Sequence, residues 1–225
     1  MWRCGLIVVL LRDLSAPPLA GLAPGGERLA FWINAYNGLV TEGLAALGIR
    51  QTVWEVPDFF DRIRARIAEL EFSANDIEHG VLRGNRPNPL SGAPPFSPDD
   101  PRLVHMIPDL DPRIHFAINC GARSCPPVQH YDGAHVHKQL DAATRGFVSR
   151  EVTLDKERLV ASPIFHWFAA DFAQWPGGLM GFLADHLEHG PVRRAVLAGG
   201  LDRVTWREYD WQLPERTGSH STGWR

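Results

Sequence analysis

The sequence predicts one α+β domain: an antiparallel or mixed sheet of about five strands, packed by several helices. Three observations predict it. Residues 27–47 carry a clear helical period, and short apolar runs near 113–120, 151–162 and 203–213 read as strands or hairpins. No period of 20–50 residues repeats, which excludes a solenoid or propeller.

At 225 residues the chain is long enough for a substantial single core. Hydrophobic residues make up 44% and charged residues 22%, the balance of a folded protein. A net charge of -3 and a pI near 6.4 leave no basic footprint for a nucleic acid. The apolar run "GLIVVLL" is too short to span a bilayer and lacks a small-residue cleavage site downstream, so a cytoplasmic protein, or a fragment whose natural start is missing, is expected. Three cysteines, Cys4, Cys120 and Cys125, are too few for a disulfide scaffold, and the odd count leaves at least one unpaired within the chain.

Taken in order, residues 1–26 read as an N-terminal extension. In the 27–47 helix, Leu29, Trp32, Ile33, Tyr36, Leu39, Val40 and Leu44 form one buried stripe, and Gly48 closes it. Asn34 and Asn37 inside it call for a reason, because an amide competes for backbone partners. Either they satisfy a neighbouring loop or they orient a site. "DFFDRIRARIAELEF" fits both a helix and a hairpin. Ser73 and Asp76 then form a capping box for a short helix from about Ala74 to Arg83, with Glu78 at the edge of its buried stripe.

Residues 84–112 are rich in Pro, Gly and Ser and read as a long loop, mobile or functional. "RIHFAINC" reads as a strand. Beyond it lie a helix in "AHVHKQLDAATRGFVSR", a hairpin in "EVTLDKERLVAS", helical segments in "PIFHWFAADFAQW" and "GGLMGFLADHLEHG", and a strand in "RVTWREYDWQLPER". Residues 214–225 read as a disordered tail.

These blocks together resemble the domain-of-unknown-function 547 family. The resemblance rests on "AFWINAYNGL" (30–39), "DIEHGVLR" (76–83), "DPRIHFAINCGARSCPPV" (111–128), Tyr131, "IFHWFAADF" (164–172) and "EYDWQL" (208–213), which makes 27–213 one family domain. His166 and Phe168 stand where the family more often has lysine and tyrosine, and Gln212 and Pro214 replace its usual serine and asparagine. The resemblance implies little about chemistry, since the family has no assigned activity. Its members occur alone in bacteria, and similar domains elsewhere are joined to glutaredoxin-like or leucine-zipper segments. Function has to come from the site.

The candidate site is the strand-to-loop junction carrying His115, Asn119, Cys120 and Cys125. In an extended strand His115 and Cys120 would be on the order of 16 Å apart, too far for a catalytic pair. "SCPP" places Cys125 at the N-cap of a helix begun by Pro126, where the helix dipole would favour the thiolate. This presentation is like that of papain-like and transglutaminase-like enzymes. The leading expectation is therefore a cysteine hydrolase or acyltransferase acting on a peptide or amide. Cys120 or Cys125 would attack, His79 or another histidine would move the proton, and Asn119 with loop amides would bind the oxyanion.

Glu78 is expected to anchor His115 or Arg113, and His115 to be a satisfied core histidine. Arg83, Arg113 and Asp210 are expected to form a paired charge network. A non-catalytic binding or scaffold domain is the alternative, and a thiol-redox protein ranks behind it because the cysteines lack the Cys-x-x-Cys spacing. His130, Asp132, His135 and His137 make a weak metal candidate better read as a solvated loop. No phosphate loop or dinucleotide fingerprint is present, so no cofactor is expected.

Overall fold

A computed structural model describes residues 22, 25–89, 91–199 and 204–215. Cys4, the extension up to residue 21 and the end of the tail lie outside the described residues. Helix α1 (Gly26–Ala46) realises the predicted stripe, with Trp32, Ile33 and Leu39 fully buried. The ambiguous stretch after Pro57 resolves into a short helix α2 (Phe59–Arg62) followed by a hairpin, β1 (Arg64–Ile67) with β2 (Leu70–Ser73).

The capping box forms as expected. Ser73 N–H donates to Asp76 Oδ2 at 2.8 Å and Asp76 N–H to Ser73 Oγ at 3.0 Å. What it starts is a π-helix over Asp76–Leu82, where Arg83 N–H reaches back five residues to the Glu78 carbonyl. Such wide turns are rare and collect at functional sites. Gly80 is needed there, since a Cβ would lie 2.3 Å from the Phe96 ring.

The largest departure is at residues 113–120. No strand forms: Pro112–Phe116 is a 3-10 turn capped by Asp111, whose side chain accepts from Arg113 N–H at 3.0 Å, and the chain then runs irregularly to Cys120. The apolar pattern is satisfied in another way. Ile114, Ala117 and Ile118 pack into a core built on α1, the hairpin and the π-helix, while Phe116 points into a second core. There it meets Phe147 at 4.7 Å and Phe165 at 5.6 Å between ring centres.

That second core lies under helix α3 (Val136–Glu151), the short helices α4 (Ile164–Trp167) and α5 (Ala169–Phe172), α6 (Gly178–His186) and α7 (Pro191–Leu197). The hairpin β3 (Thr153–Asp155) with β4 (Arg158–Ala161) borders it, and β5 (Val204–Trp206) adds parallel to β4. Among the described residues, five strands thus form two small sheets, of two and three strands, in place of the expected single sheet. Among the described residues no helix is long and apolar enough to cross a membrane.

Candidate functional site

The two asparagines of α1 hold the cysteine loop by its backbone. Asn37 donates to the Ala117 carbonyl at 2.9 Å and accepts from Asn119 N–H at 2.8 Å. One turn earlier, Asn34 donates to the Tyr131 carbonyl at 2.7 Å and accepts from Tyr131 N–H at 2.9 Å. Each amide gives one donor and one acceptor to backbone groups that no strand or helix pairs. Asn37→Ala should cost about 1 to 3 kcal/mol, because it strands a half-buried N–H and a buried carbonyl. Urea unfolding of the variant checks this, and a loss within the scatter of surface mutants contradicts it.

Between these anchors the chain turns sharply. Gly121 has φ of +91°, and Cys125 N–H closes a turn onto the Ala122 carbonyl at 3.0 Å. No helix follows Pro126; the next begins at Val136. Cys125 therefore does not sit at a helix N-terminus. Its sulfur is held by local donors: Cys120 N–H at 3.1 Å, the Tyr209 hydroxyl at 3.1 Å and Ala122 N–H. Burial pushes the thiol up, but the Cys120 thiol, Tyr209 and these amides outweigh it and bring Cys125 below its ordinary 9.0.

The Cys120 sulfur rests on the same hydroxyl, 3.4 Å from Tyr209 Oη. Its bond to Cys125, its burial and the Cys125 charge hold it well above the ordinary range, so it stays a thiol. Asn119 is committed to the loop, accepting from Gly121 N–H at 2.6 Å and donating to the Pro126 carbonyl.

The thiols open into a pocket of about 150 Å³, walled by Trp54, Phe60, Trp167, Phe168, Tyr209 and Trp211. Glu78, His79 and Tyr36 also line it. Glu78 bonds the Tyr36 hydroxyl, not His115 or Arg113 as the sequence suggests. Burial raises it, the Asp171 charge adds to this, and Arg83 and Tyr36 pull it back, leaving it at about 7. Tyr36, raised by burial and by Glu78, is also within the field of both thiols.

His79 Nδ1 faces Arg83 Nη1 at 3.0 Å; an arginine only donates, so this nitrogen accepts and the neutral ring carries its proton on Nε2. Burial, Arg83 and His115 keep His79 well below its ordinary 6.5. Arg83 is further spent on Asp171, at 2.7 and 3.1 Å, and on the Pro87 carbonyl. Asp171 also takes His115 Nε2 at 2.9 Å, and the His115 ring stacks on Phe168 with centres 3.9 Å apart. The other nitrogen of His115, Nδ1, is buried and meets no partner among the described residues.

Burial would raise Asp171, but His115 and Arg83 hold it at about 2. The expected charge network thus divides: Arg83 pairs with Asp171, Arg113 with Asp111 at 2.6 Å, and Asp210 with Arg123 at 3.6 Å on the surface. His135 and Asp132 pair in an exposed loop, and among the described residues no three His, Cys, Asp or Glu side chains converge on a metal position.

The structure thus brings Glu78, His79, His115, Cys120 and Cys125 to one pocket and places Asn119 behind it as a strut. The sequence reading missed Tyr36, Asp171, Tyr209 and the tryptophan wall. Asp171 alone left a local signal, a carboxylate within the apolar "WFAADF".

A family model described as "Protein of unknown function, DUF547" matches residues 21–148. That span includes Tyr36, Glu78 and both cysteines, whereas Asp171, Tyr209 and Trp211 come from beyond it. No curated protein and no solved structure matches the chain.

Proposed function

Because the chain belongs to the DUF547 family, whose biochemistry is unassigned, function has to come from the site, and we propose a thiol-dependent acyl-transfer enzyme acting on an amide or ester. The observation that carries this reading is the Cys125 sulfur, held by Cys120 N–H and the Tyr209 hydroxyl at the mouth of an aromatic pocket that also contains Glu78. In the first step the Cys125 thiolate attacks the substrate carbonyl, and the leaving group takes a proton from Glu78. In the second, water or an acceptor gives its proton to Glu78 and displaces the thiolate from the thioester. A carboxyl at about 7 serves both steps near neutral pH. Tyr36 fixes its position. Cys120 N–H and the Tyr209 hydroxyl are the donors beside the developing oxyanion.

This assignment moves the proton carrier from His79 to Glu78, since the acceptor nitrogen of His79 is occupied by Arg83. An apolar cavity of this size admits about one benzene-sized group. The substrate is then an uncharged acyl compound with an aromatic or branched apolar side chain.

The test is to mix the protein with an activated phenylacetyl ester and map the adduct by mass spectrometry. A burst with acylation on Cys125, lost in Cys125→Ser, is expected. Acylation elsewhere, or an undiminished burst in that variant, removes the proposal. In parallel, iodoacetamide should alkylate Cys125 in the native protein with an apparent pKa below the ordinary 9.0. Alkylation of Cys125 only after unfolding would contradict the reading.

A further inference from the structure

The acyl-transfer scheme uses one thiol, yet the loop is folded to place a second beside it. Both sulfurs rest on the Tyr209 hydroxyl, at 3.4 and 3.1 Å, and Cys120 N–H points at Cys125 Sγ. We propose that the pair carries a second activity, reversible thiol–disulfide exchange with a small uncharged disulfide, in which Cys125 attacks and Cys120 resolves. This does not rest on the acyl-transfer reading; a protein that cleaves no ester can still run it.

The chemistry balances within the pair and one disulfide molecule. The Cys125 thiolate attacks one sulfur of R–S–S–R, forming a mixed disulfide and releasing R–S⁻. Cys120 then gives its proton to the released R–S⁻ and attacks Cys125 Sγ, forming the Cys120–Cys125 bond and expelling the second R–S⁻, which takes a proton from water. Two protein thiols are oxidised and one disulfide is reduced to two thiols.

The order of the steps follows from what holds each sulfur. Cys125 is stabilised as the anion by its donors. Cys120 is kept protonated first by its bond to Cys125, then by burial and by the Cys125 charge. When Cys125 enters a mixed disulfide its charge disappears, and two of the three restraints on Cys120 go with it. The resolving thiol is therefore armed by the first step and silent before it.

Four residues separate the cysteines, against two in a dedicated oxidoreductase motif, and the turn at Gly121 and Ala122–Cys125 makes up the difference. The loop is also strapped to the segment after β5, through Arg123 N–H to the Gln212 carbonyl at 2.8 Å and Asp210 N–H to Ser124 Oγ at 2.9 Å. Tyr209 is thereby held in place against both sulfurs. Closing the disulfide removes the nucleophile that acyl transfer needs, so the oxidised form would be silent toward esters.

The experiment uses the native full chain with bis(hydroxyethyl) disulfide, an acid quench, alkylation of residual thiols and tryptic mapping. Cleavage after Arg123 separates the two cysteines, so the internal disulfide appears as two joined peptides. The wild type is expected to give the joined peptides with little hydroxyethyl adduct. Cys120→Ser should lose the joined peptides and accumulate the adduct on Cys125, and Cys125→Ser should lose the joined peptides as well. A stable Cys125 adduct in the wild type equal to that in Cys120→Ser would overturn the proposal. So would a first adduct on Cys120 in the wild type, pairing through Cys4, or two thiols that react only after denaturation.

Discussion

Asp171→Ala is expected to destabilise the fold by about 3 to 5 kcal/mol, the cost of leaving a buried charge without its partner. The carboxylate is fully buried and gives both oxygens to Arg83 while accepting from His115. Removing it strands a guanidinium that is itself almost entirely enclosed. Asp171→Asn, which keeps the volume, should also be costly because it cannot neutralise Arg83. The acid limb has a definite sign. Asp171 ionises at about 2 in the folded protein against an ordinary 3.8, so its contribution is complete above about 3.8 and fades as the pH falls through 2. Urea unfolding at neutral pH is the measurement, and a loss below about 1 kcal/mol, the worth of an exposed pair, would show that the network contributes little.

Glu78→Gln should have opposite effects on turnover and stability. Turnover of the phenylacetyl ester is expected to fall by on the order of 10² to 10⁴, the usual contribution of a positioned acid–base group. The limb of the pH–rate profile near 7 should vanish with it. Stability responds differently. Folded Glu78 keeps its proton up to about 7, whereas an ordinary glutamate releases it near 4.5, so folding takes up a proton between those values and stability falls as pH rises through the window. Glutamine needs no proton. At pH 8 the variant should be more stable than the wild type by up to about 3 kcal/mol, with no such advantage at pH 4. Urea midpoints for both proteins at the two pH values test this; parallel pH dependences would mean that Glu78 is not held protonated.

Local rules recovered much of the fold and failed where two of them competed. The stripe of α1 and the Ser73–Asp76 box depend on residues within one turn, and both appear where the pattern puts them. At 113–120 the apolar alternation suggested a strand, yet Asp111-Pro112 is itself a helix-start signal, and Asp111 caps a 3-10 turn. The apolar pattern there serves two cores, one on each side of the segment. The same start signal misled at Cys125-Pro126. Pro126 precedes Pro127, and a residue before proline is pushed out of the helical region, so no helix begins there. The site was legible as a cluster of thiol, amide and imidazole groups but not as a geometry. Asp171 is 88 residues from Arg83, and Tyr209 is 84 from Cys125. No period or spacing reports contacts at that range.

The paired asparagines of α1 have a mechanical consequence. Successive clamps lie three residues apart on one rigid rod, a rise of about 4.5 Å, and they grip the two feet of an arch running from Ala117 to Tyr131. The span of the arch is therefore gauged by the helix and not by the number of residues within it. Extra residues near its crown would bulge outward without moving its feet. The thiols, close behind the Asn37 foot, thus take their position from the rod: the arch has one degree of freedom less than a loop joined at its ends alone.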